Sequence, residues 1–269
     1  MLPAVQGWFR QNSRTQKWLE DDKKNRPCCH LQSMEEIDMA VLECIDLEKW
    51  YGNVKALNGV NLALEPGRIV GLVGPNGSGK TTLIKLAQHL LTPTHGQILI
   101  GGMEPGAETK EIVSYLPDKD FLPGWMNVES LLDFYSDFYP DFDAGRAGQM
   151  LDALQIDPHR VFKKLSKGTR EKVQLIMTMS RRASVYLLDE PIAGVDPAAR
   201  DYILRTIISN YSENGLVLLS THLITDVEPV LDEVVFLKQG HVELHENADA
   251  LRERTGMSVD GYFREVFRC

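Results

Sequence analysis

The sequence lacks a long hydrophobic run and holds few cysteines. Its longest apolar stretches, such as residues 185–188 and 216–219, have the length of strands, whereas a membrane-spanning helix needs roughly 18 apolar residues. The chain has four cysteines without a C-x-x-C pair, a spacing that argues against a structural zinc site. Residues 1–10 lack the basic start and apolar stretch of a secretion signal, so we expect a reducing, cytoplasmic location.

The composition is that of an ordinary globular protein. Of the 269 residues, 43% are hydrophobic and 25% are charged, which excludes fibrous and low-complexity classes. The length suits one large domain or two small ones. A net charge of -9 argues against bulk attraction to phosphate backbones. No nucleic acid partner is therefore expected.

The first 33 residues differ in composition from the rest of the chain. They carry six basic and three acidic residues, so they are basic although the whole chain is acidic. Their aromatic residues are too sparse for a sustained helical stripe, which predicts a poorly ordered N-terminal extension over residues 1–33 or a short docking helix. An alternative is that translation begins at Met34 or Met39.

From Val41 onward the pattern is that of an α/β protein. Alternating or continuous apolar runs predict strands at residues 60–64, 68–73, 97–100, 185–188, 216–220 and 234–237. Helical spacing of apolar residues predicts helices at residues 80–91, 128–135, 147–154 and 173–180. Because three of these helices fall together between strands and no repeat is present, we expect one α/β core with an inserted helical segment.

A glycine-rich segment between a predicted strand and a predicted helix matches G-x-x-x-x-G-K-[ST]. Glycines allow backbone N–H groups to point inward around phosphates, and the helix start adds about half a positive charge. Lys80 is expected to bridge the β- and γ-phosphates of a nucleotide, and the Thr81 hydroxyl to bind Mg²⁺. The alternative is a glycine-rich turn without a ligand. The predicted phosphate-binding residues are Gly74, Pro75, Asn76, Gly77, Ser78, Gly79, Lys80, Thr81 and Thr82.

Two acids follow the predicted strand at residues 185–188. Open α/β sheets bind ligands at the carboxyl ends of their strands, where Asp189 and Glu190 are placed. We expect Asp189 to bind Mg²⁺ or its waters, and Glu190 to accept a proton from an attacking water. The alternative is that both acids are only solvated.

Further motifs decide between the classes of phosphate-loop enzyme. The guanine-reading motif N-K-x-D is absent, and Leu165-Ser-Lys-Gly-Thr-Arg170 resembles the signature L-S-G-G-Q-R of the ATP-binding subunits of ABC transporters. In the same order as in that family, residues 193–196 resemble its D-loop and Ser220-Thr-His222 its switch histidine. Tyr51 falls where the family places an aromatic ring that stacks on adenine. The resemblance covers roughly residues 41–244.

The resemblance implies the fold and the boundaries. The expected fold is α/β, a P-loop NTPase of the ABC-ATPase type with an antiparallel β lobe and an inserted helical subdomain. The implied parts are a nucleotide-binding domain over residues 34–245, its helical subdomain over about 119–182, and a C-terminal helical tail over 246–269.

The resemblance also implies roles for residues far from the phosphate loop. Ser166 and Gly168 would contact the γ-phosphate of ATP on a second subunit, although Ser166 alone is equally well explained as a helix cap. His222 would contact the γ-phosphate and steady the water near Glu190, the alternative being a satisfied histidine at a strand end. For Tyr51 the alternative is an aromatic side chain packed within the β lobe.

The implied assembly is a homo- or heterodimer of ATP-binding subunits with two ATP molecules sandwiched between them. ATP-dependent closure of this dimer would drive a separate integral membrane subunit, which places the chain at the inner face of the cell membrane. The finer resemblance is to exporter-type subunits of Gram-positive bacteria, including the YtrB-like group. The alternatives are a soluble ABC ATPase acting on a ribosome or nucleic-acid complex, and an inactive regulatory subunit.

The sequence departs from the family pattern at three positions. Lys167 and Thr169 replace the usual glycine and glutamine of the signature. Asp118 stands where the family normally has glutamine. A carboxylate there adds repulsion toward the γ-phosphate unless a metal ion lies between them. We therefore count Asp118 with Thr81 and Asp189 as a candidate Mg²⁺ ligand.

Overall fold

The computed structural model describes residues 40–193, 195, 197–212 and 214–267. The predicted extension over residues 1–33 and the alternative start sites Met34 and Met39 lie outside this part of the chain. Two D-loop residues, Gly194 and Asp196, also lie outside it.

The described strands and helices alternate in the order expected of an α/β protein. The strands are β1 (Leu42–Tyr51), β2 (Val54–Leu64), β3 (Ile69–Val73), β4 (His95–Ile100), β5 (Val113–Leu116), β6 (Val185–Asp189), β7 (Leu216–Thr221), β8 (Glu233–Lys238) and β9 (His241–Asn247). The α-helices are α1 (Lys80–Ala87), α2 (Ala107–Ile112), α3 (Val128–Phe138), α4 (Ala144–Ala153), α5 (Lys167–Met179), α6 (Pro197–Asn210), α7 (Ile224–Val227), α8 (Ala248–Thr255) and α9 (Val259–Val266). Not one helix in this set combines the length and the hydropathy that crossing a bilayer requires.

A small antiparallel sheet forms the first lobe, with strand order β2-β1-β4. Leu42 of β1 lies opposite Leu64 on one side and Ile100 on the other. All three are fully buried because alternating apolar side chains along each strand point to the same face. The predicted antiparallel lobe is confirmed.

The larger sheet has the order β5-β6-β7-β3-β8-β9 and is parallel except for β9. Its strands β3, β6 and β7 are buried along their whole length, as expected for a sheet covered on both faces. Register pairs Val73 with Thr221 and Asp189 with Ser220. The carboxyl ends of β3, β6 and β7 therefore meet at one edge, where a ligand site is expected.

The helical segment between β5 and β6 begins each helix with a polar cap. Asn127, Asp143 and Ser166 accept hydrogen bonds from backbone N–H groups in the first turns of α3, α4 and α5. The three helices enclose a small core of their own, in which Leu131 and Val173 are fully buried. The predicted inserted helical subdomain is confirmed as part of the fold, while its boundaries at residues 119 and 182 stay a prediction.

Helix α1 is shorter than the spacing predicts, because it ends at Ala87 and not at residue 91. His89 adopts a left-handed backbone with φ 56°. The Leu90 N–H donates to the Lys85 carbonyl at 2.9 Å, and the His89 N–H donates to the Leu86 carbonyl at 3.0 Å. These two bonds close the helix as a Schellman motif, and the apolar residues after it belong to a turn.

Helices α8 and α9 lie where the sequence predicts a C-terminal helical tail. Their side chains pack on the main core, where the Phe263 ring lies 5.4 Å from that of Phe236 in β8. The Glu228 carboxylate accepts from the Val259 N–H at 2.8 Å and pairs with Arg252 at 3.1 Å. The pair of helices is thus fastened to the residues that follow α7.

Candidate nucleotide-binding and catalytic site

The glycine-rich loop runs from the end of β3 to the start of α1. A Cβ atom on Gly74 would lie 2.3 Å from the Leu237 carbonyl oxygen, and one on Gly79 would lie 2.5 Å from the Ala56 carbonyl oxygen. Gly79 also has a φ of 113°, a value that other residues rarely adopt. The sequence therefore needs glycine at both positions for the loop to fold.

The other predicted phosphate-binding residues occupy distinct parts of this loop. Pro75, Asn76 and Gly77 form its exposed tip, while Ser78 is buried. Thr81 and Thr82 lie in the first turn of α1. An exposed tip leading into a helix start leaves backbone N–H groups free to bind an anion.

Lys80 crosses the inside of the loop. Its ammonium donates to the Gly74 carbonyl at 2.8 Å and to the Pro75 carbonyl at 3.3 Å. The nearest carboxylate oxygen of Glu190 lies 3.9 Å away. Burial lowers the pKa of Lys80, and the negative charges of Glu190 and Asp189 oppose this shift. A bound phosphate would supply the closer anionic partner that this buried cation requires.

Asp189 ends β6 and is fully buried. Its Oδ1 accepts from the Ser220 hydroxyl at 2.6 Å and from the Thr81 hydroxyl at 3.1 Å. Its Oδ2 is buried without a hydrogen-bond partner in the described part of the chain. Burial raises the pKa of Asp189, and the hydrogen bonds from Ser220 and Thr81 oppose that shift. An orphaned carboxylate oxygen beside a threonine hydroxyl is a donor set that suits a hard cation such as Mg²⁺.

Glu190 follows with a strained backbone, since its φ is 53° and a non-glycine residue seldom adopts this region. Its N–H is held by the Ser220 carbonyl and hydroxyl, each at 3.1 Å. The carboxylate Oε2 lies 3.0 Å from Nδ1 of His222 at the end of β7. Because β6 lies beside β7, the predicted catalytic residues Glu190 and His222 are in contact although they are far apart in sequence, and Lys80 lies beside them.

Asp118 lies just beyond β5, and its negative charge contributes to the raised pKa of Asp189. It lines a cleft of about 390 Å³ together with Glu190, Lys167 and Arg170. The fold therefore brings the loop of Asp118 to the same edge of the sheet as the acidic pair. It also brings the start of α5 to this cleft.

Tyr51 and the signature residues have surroundings of different kinds. The Tyr51 ring is 48% exposed at the end of β1, with the Lys49 ammonium 5.5 Å from its centre, so it is not packed in the β lobe. The Ser166 hydroxyl accepts from the Thr169 N–H at 3.2 Å and therefore caps α5. A Cβ atom on Gly168 would meet no atom of residues 40–193, 195, 197–212 and 214–267 within 4 Å. The helix start at Gly168 is thus open to close approach by another molecule.

Two contributors to the site escape prediction from the sequence. The Ser220 hydroxyl donates to Asp189 and accepts from the Glu190 N–H. The signal that could have identified Ser220 is its place in the motif Ser-Thr-His. Arg200 of α6 donates to the Val195 carbonyl at 3.1 Å in the D-loop and pairs with Asp226 of α7 at 2.8 Å. No local pattern marks Arg200, because its partners come from different segments of the chain.

Comparison with known proteins identifies a family and similar sequences. The family model described as ABC transporter matches residues 57–193, just over half of the chain. The ABC transporter ATP-binding protein YtrB of Bacillus subtilis (strain 168) is 28% identical over 216 residues, which cover 79% of this chain and 74% of YtrB.

Solved structures show the same fold. A structure of an ATP-binding subunit of an ABC transporter is 28% identical and superposes with a TM-score of 0.77, covering 85% of this chain and all of that one. A dimeric post-hydrolysis state of the ATP-binding cassette MJ0796 bound to ADP and Pi is 21% identical, with a TM-score of 0.67, and covers 77% of this chain and 98% of that one.

A glycine-rich loop that leads into a helix, next to an acidic strand end, is the arrangement of a nucleotide-binding ATPase. The chain belongs to the ABC transporter family, as an ATP-binding subunit with ATPase activity. The expected fold and the resemblance to YtrB are confirmed. The comparisons favour this assignment over a soluble ABC ATPase that acts on a ribosome or nucleic acid.

Proposed function

We propose that ATP binding closes a dimer of two ATP-binding subunits, that hydrolysis reopens it, and that this motion drives a separate membrane subunit. The observation that carries the hydrolytic step is the pairing of Glu190 with His222 at 3.0 Å. Lys80 lies 3.9 Å from the same carboxylate. A base, its orienting partner and a phosphate-binding cation are therefore next to one another.

Glu190 is the proposed general base. Its carboxylate accepts a proton from the water that attacks the γ-phosphorus of ATP, while ADP leaves and inorganic phosphate forms. His222 orients this carboxylate through Nδ1, and the Ser220 bonds to the Glu190 N–H hold the backbone in its left-handed conformation. Lys80 offsets the negative charge of the transferred phosphoryl group.

Thr81 and Asp189 are the proposed Mg²⁺ ligands, with Asp118 as a third candidate. The buried Oδ2 of Asp189 has no hydrogen-bond partner among the residues that the structure describes, which supports this assignment, because a charge so placed is costly without a counter-ion. When bound, Mg²⁺ would neutralise charge on the β- and γ-phosphates. The chain itself orients Asp189 for this task through the hydroxyls of Ser220 and Thr81.

Each ATP would lie between the phosphate loop of one subunit and the signature of the other. The open start of α5 at Gly168 and the Ser166 hydroxyl support this arrangement, since a helix N-terminus attracts anions. The exposed Tyr51 ring would stack on the adenine bound to its own subunit. The partner can be a second copy of the chain or a related subunit.

The membrane subunit would dock on a groove of about 940 Å³ between the core and the helical segment. Five aromatic side chains line it, which are Tyr115, Phe121, Tyr135, Phe138 and Tyr139. An apolar groove of this kind accepts the apolar face of a helix. The proposed occupant is a cytoplasmic helical segment of the membrane subunit, which places this chain at the inner face of the membrane.

The substitution Glu190→Gln tests the catalytic part of the proposal. ATP turnover should be lost while ATP binding persists, so ATP should trap a dimer that is stable in size-exclusion chromatography. The matched control is Glu233→Gln. The Glu233 carboxylate also pairs with a histidine, because its Oε2 lies 2.8 Å from Nε2 of His245, but this pair lies outside the site. The control should leave turnover intact. Full hydrolysis by the Glu190→Gln variant would contradict the assignment of the base.

A further inference from the structure

The segment that follows Asp118 is fastened to the signature helix α5 by side chains. The Asp120 carboxylate accepts from Nε of Arg170 at 2.8 Å and from Nε2 of Gln174 at 3.0 Å. The side-chain Oε1 of Gln174 in turn accepts from the Phe121 N–H at 2.9 Å. Three hydrogen bonds thus join two residues of the loop to two residues of the helix.

Arg170 extends this connection to the signature itself. Its Nη1 donates to the Leu165 carbonyl at 3.1 Å, and Leu165 is the residue directly before Ser166. One guanidinium therefore links the Asp120 carboxylate to the backbone that precedes the helix cap. Because the guanidinium is planar and rigid, a shift of Asp120 changes the direction in which Arg170 can hold Leu165.

The burial of the three side chains differs in a way that separates their roles. Gln174 is buried, whereas Arg170 and Asp120 are 25% and 45% exposed. Removing the half-exposed Asp120 carboxylate leaves the buried amide bound to the Phe121 N–H. One of the three hydrogen bonds between the loop and α5 therefore persists without the ion pair, while Gln174 Nε2 loses its partner Asp120.

Other charged side chains line the same cleft. The cleft that holds this network is also lined by Lys167 and Glu171, and these two form an ion pair with each other at 3.8 Å. The acid that forms an ion pair with Arg170 at 2.8 Å is Asp120.

We propose that Asp120 is a positioning residue for ATP hydrolysis, acting through Arg170 on the placement of Ser166 and Gly168 against the partner subunit's ATP. The inference rests on the proposed two-subunit function. Asp120 lies two residues after Asp118, so a movement of the Asp118 loop on nucleotide binding is transmitted to the signature helix through a charge-assisted bond. Each subunit thereby aligns its signature in response to its own nucleotide.

The test compares Asp120→Ala with its parent in the Glu190→Gln background. The affinity for a fluorescent ATP analogue in the monomer should stay within about twofold, while the ATP concentration for half-dimerisation should rise about five- to tenfold, a usual size for coupling between sites. With Glu190 intact, KM for ATP should rise by a similar factor because turnover requires the dimer, and kcat should fall because the signature is misplaced in it. A charge swap, Asp120→Arg with Arg170→Asp, should restore most of the dimerisation.

A second measurement does not depend on the dimer. Hydrogen–deuterium exchange of the backbone amides at residues 167–170 should speed up in the Asp120→Ala monomer. The matched control is Glu246→Ala, which removes a carboxylate paired with Arg254 far along the chain and should change none of these readouts. Melting curves of each variant check that it is folded.

The outcomes separate the two proposals. If the Glu190→Gln parent dimerises with ATP and the Asp120→Ala variant does so equally well, the role of Asp120 is wrong and the dimer cycle stands. Unchanged amide exchange at residues 167–170 also overturns the role of Asp120. Failure of the parent to dimerise at all overturns the dimer cycle and, with it, the role of Asp120.

Discussion

The buried carboxylate of Asp189 should make the nucleotide-free protein less stable than its neutral counterpart. The side chain is fully buried, and only one of its two oxygens accepts hydrogen bonds in the described part of the chain. Substitution Asp189→Asn keeps an oxygen that can accept from Ser220 and Thr81 but removes the charge. We therefore expect Asp189→Asn to raise the free energy of unfolding without nucleotide and Mg²⁺, while it abolishes Mg²⁺-dependent ATP hydrolysis.

The magnitude follows from two opposing contributions. Burying a carboxylate costs several kcal/mol after relaxation, whereas two hydrogen bonds to a charged acceptor return about 1.5–3 kcal/mol each. The amide keeps weaker versions of these bonds and leaves its own N–H groups unpaired. Because the pKa of Asp189 is raised, the cost of burial exceeds the contribution of these bonds, and we expect a net gain of about 1 kcal/mol, which corresponds to roughly 2–4 °C in melting temperature for a chain of this size.

Urea denaturation in EDTA, followed by circular dichroism across a pH series, measures this difference. Burial raises the pKa of Asp189 above its ordinary value of 3.8, so the native state binds the proton more tightly than the unfolded state. The penalty in the wild type is full above the raised native pKa and is relieved as the pH falls through it toward 3.8. The advantage of Asp189→Asn should therefore be largest near neutral pH and shrink in acid.

With nucleotide bound, we expect the wild type and not Asp189→Asn to gain more stability. ATP with Mg²⁺ should raise the melting temperature of the wild type by mass action and that of Asp189→Asn much less. Asp232→Asn is the matched control, because the Asp232 carboxylate already accepts from the Ile69 N–H at 2.8 Å, and it should not stabilise the protein. An Asp189→Asn variant that is less stable than the wild type in EDTA at neutral pH would refute the reasoning.

Three further predictions concern the signature, the adenine contact and the core. Gly168→Ala should stabilise α5 by about 0.5–1 kcal/mol and weaken ATP-driven dimerisation, because its new Cβ has no described neighbour within 4 Å in the subunit itself. The control Gly148→Ala, at an equally open position, should stabilise α4 without changing dimerisation. Melting curves measure the stability and size-exclusion chromatography measures the dimerisation. Tyr51→Ala should weaken nucleotide binding by about 1–3 kcal/mol in a fluorescence titration, and Tyr51→Phe should not. Arg181→Ala should lower the free energy of unfolding by about 3 kcal/mol or more in urea, because the 4% exposed Arg181 guanidinium binds three backbone carbonyls and the Asp141 carboxylate.

Much of the fold could be predicted because the signals are local. Buried strands such as β3, β6 and β7 are continuous apolar runs, and the helices of the inserted segment carry their stripe and their caps within a few residues. The end of α1 was predicted wrongly, because hydrophobic spacing continues past Ala87 although the left-handed His89 closes the helix. Spacing reports which side chains are apolar and not where a backbone reverses.

Some features of the candidate site can likewise be predicted from the sequence, and others depend on the tertiary structure. The glycine-rich loop is readable from the sequence because its function requires glycine and lysine at fixed neighbouring positions. The pairing of Glu190 with His222 and the Ser220 bridge depend on β6 lying beside β7, which is a property of strand order.

The sequence by itself therefore determined the class of enzyme, the phosphate loop and the residue types available for catalysis. Only the tertiary structure decided that one oxygen of Asp189 has no hydrogen-bond partner in the described segments and that Asp120 reaches Arg170. The physical reason is that burial and hydrogen bonds between distant segments exist only after the chain has packed, whereas glycine content and hydrophobic period are present in the unfolded chain.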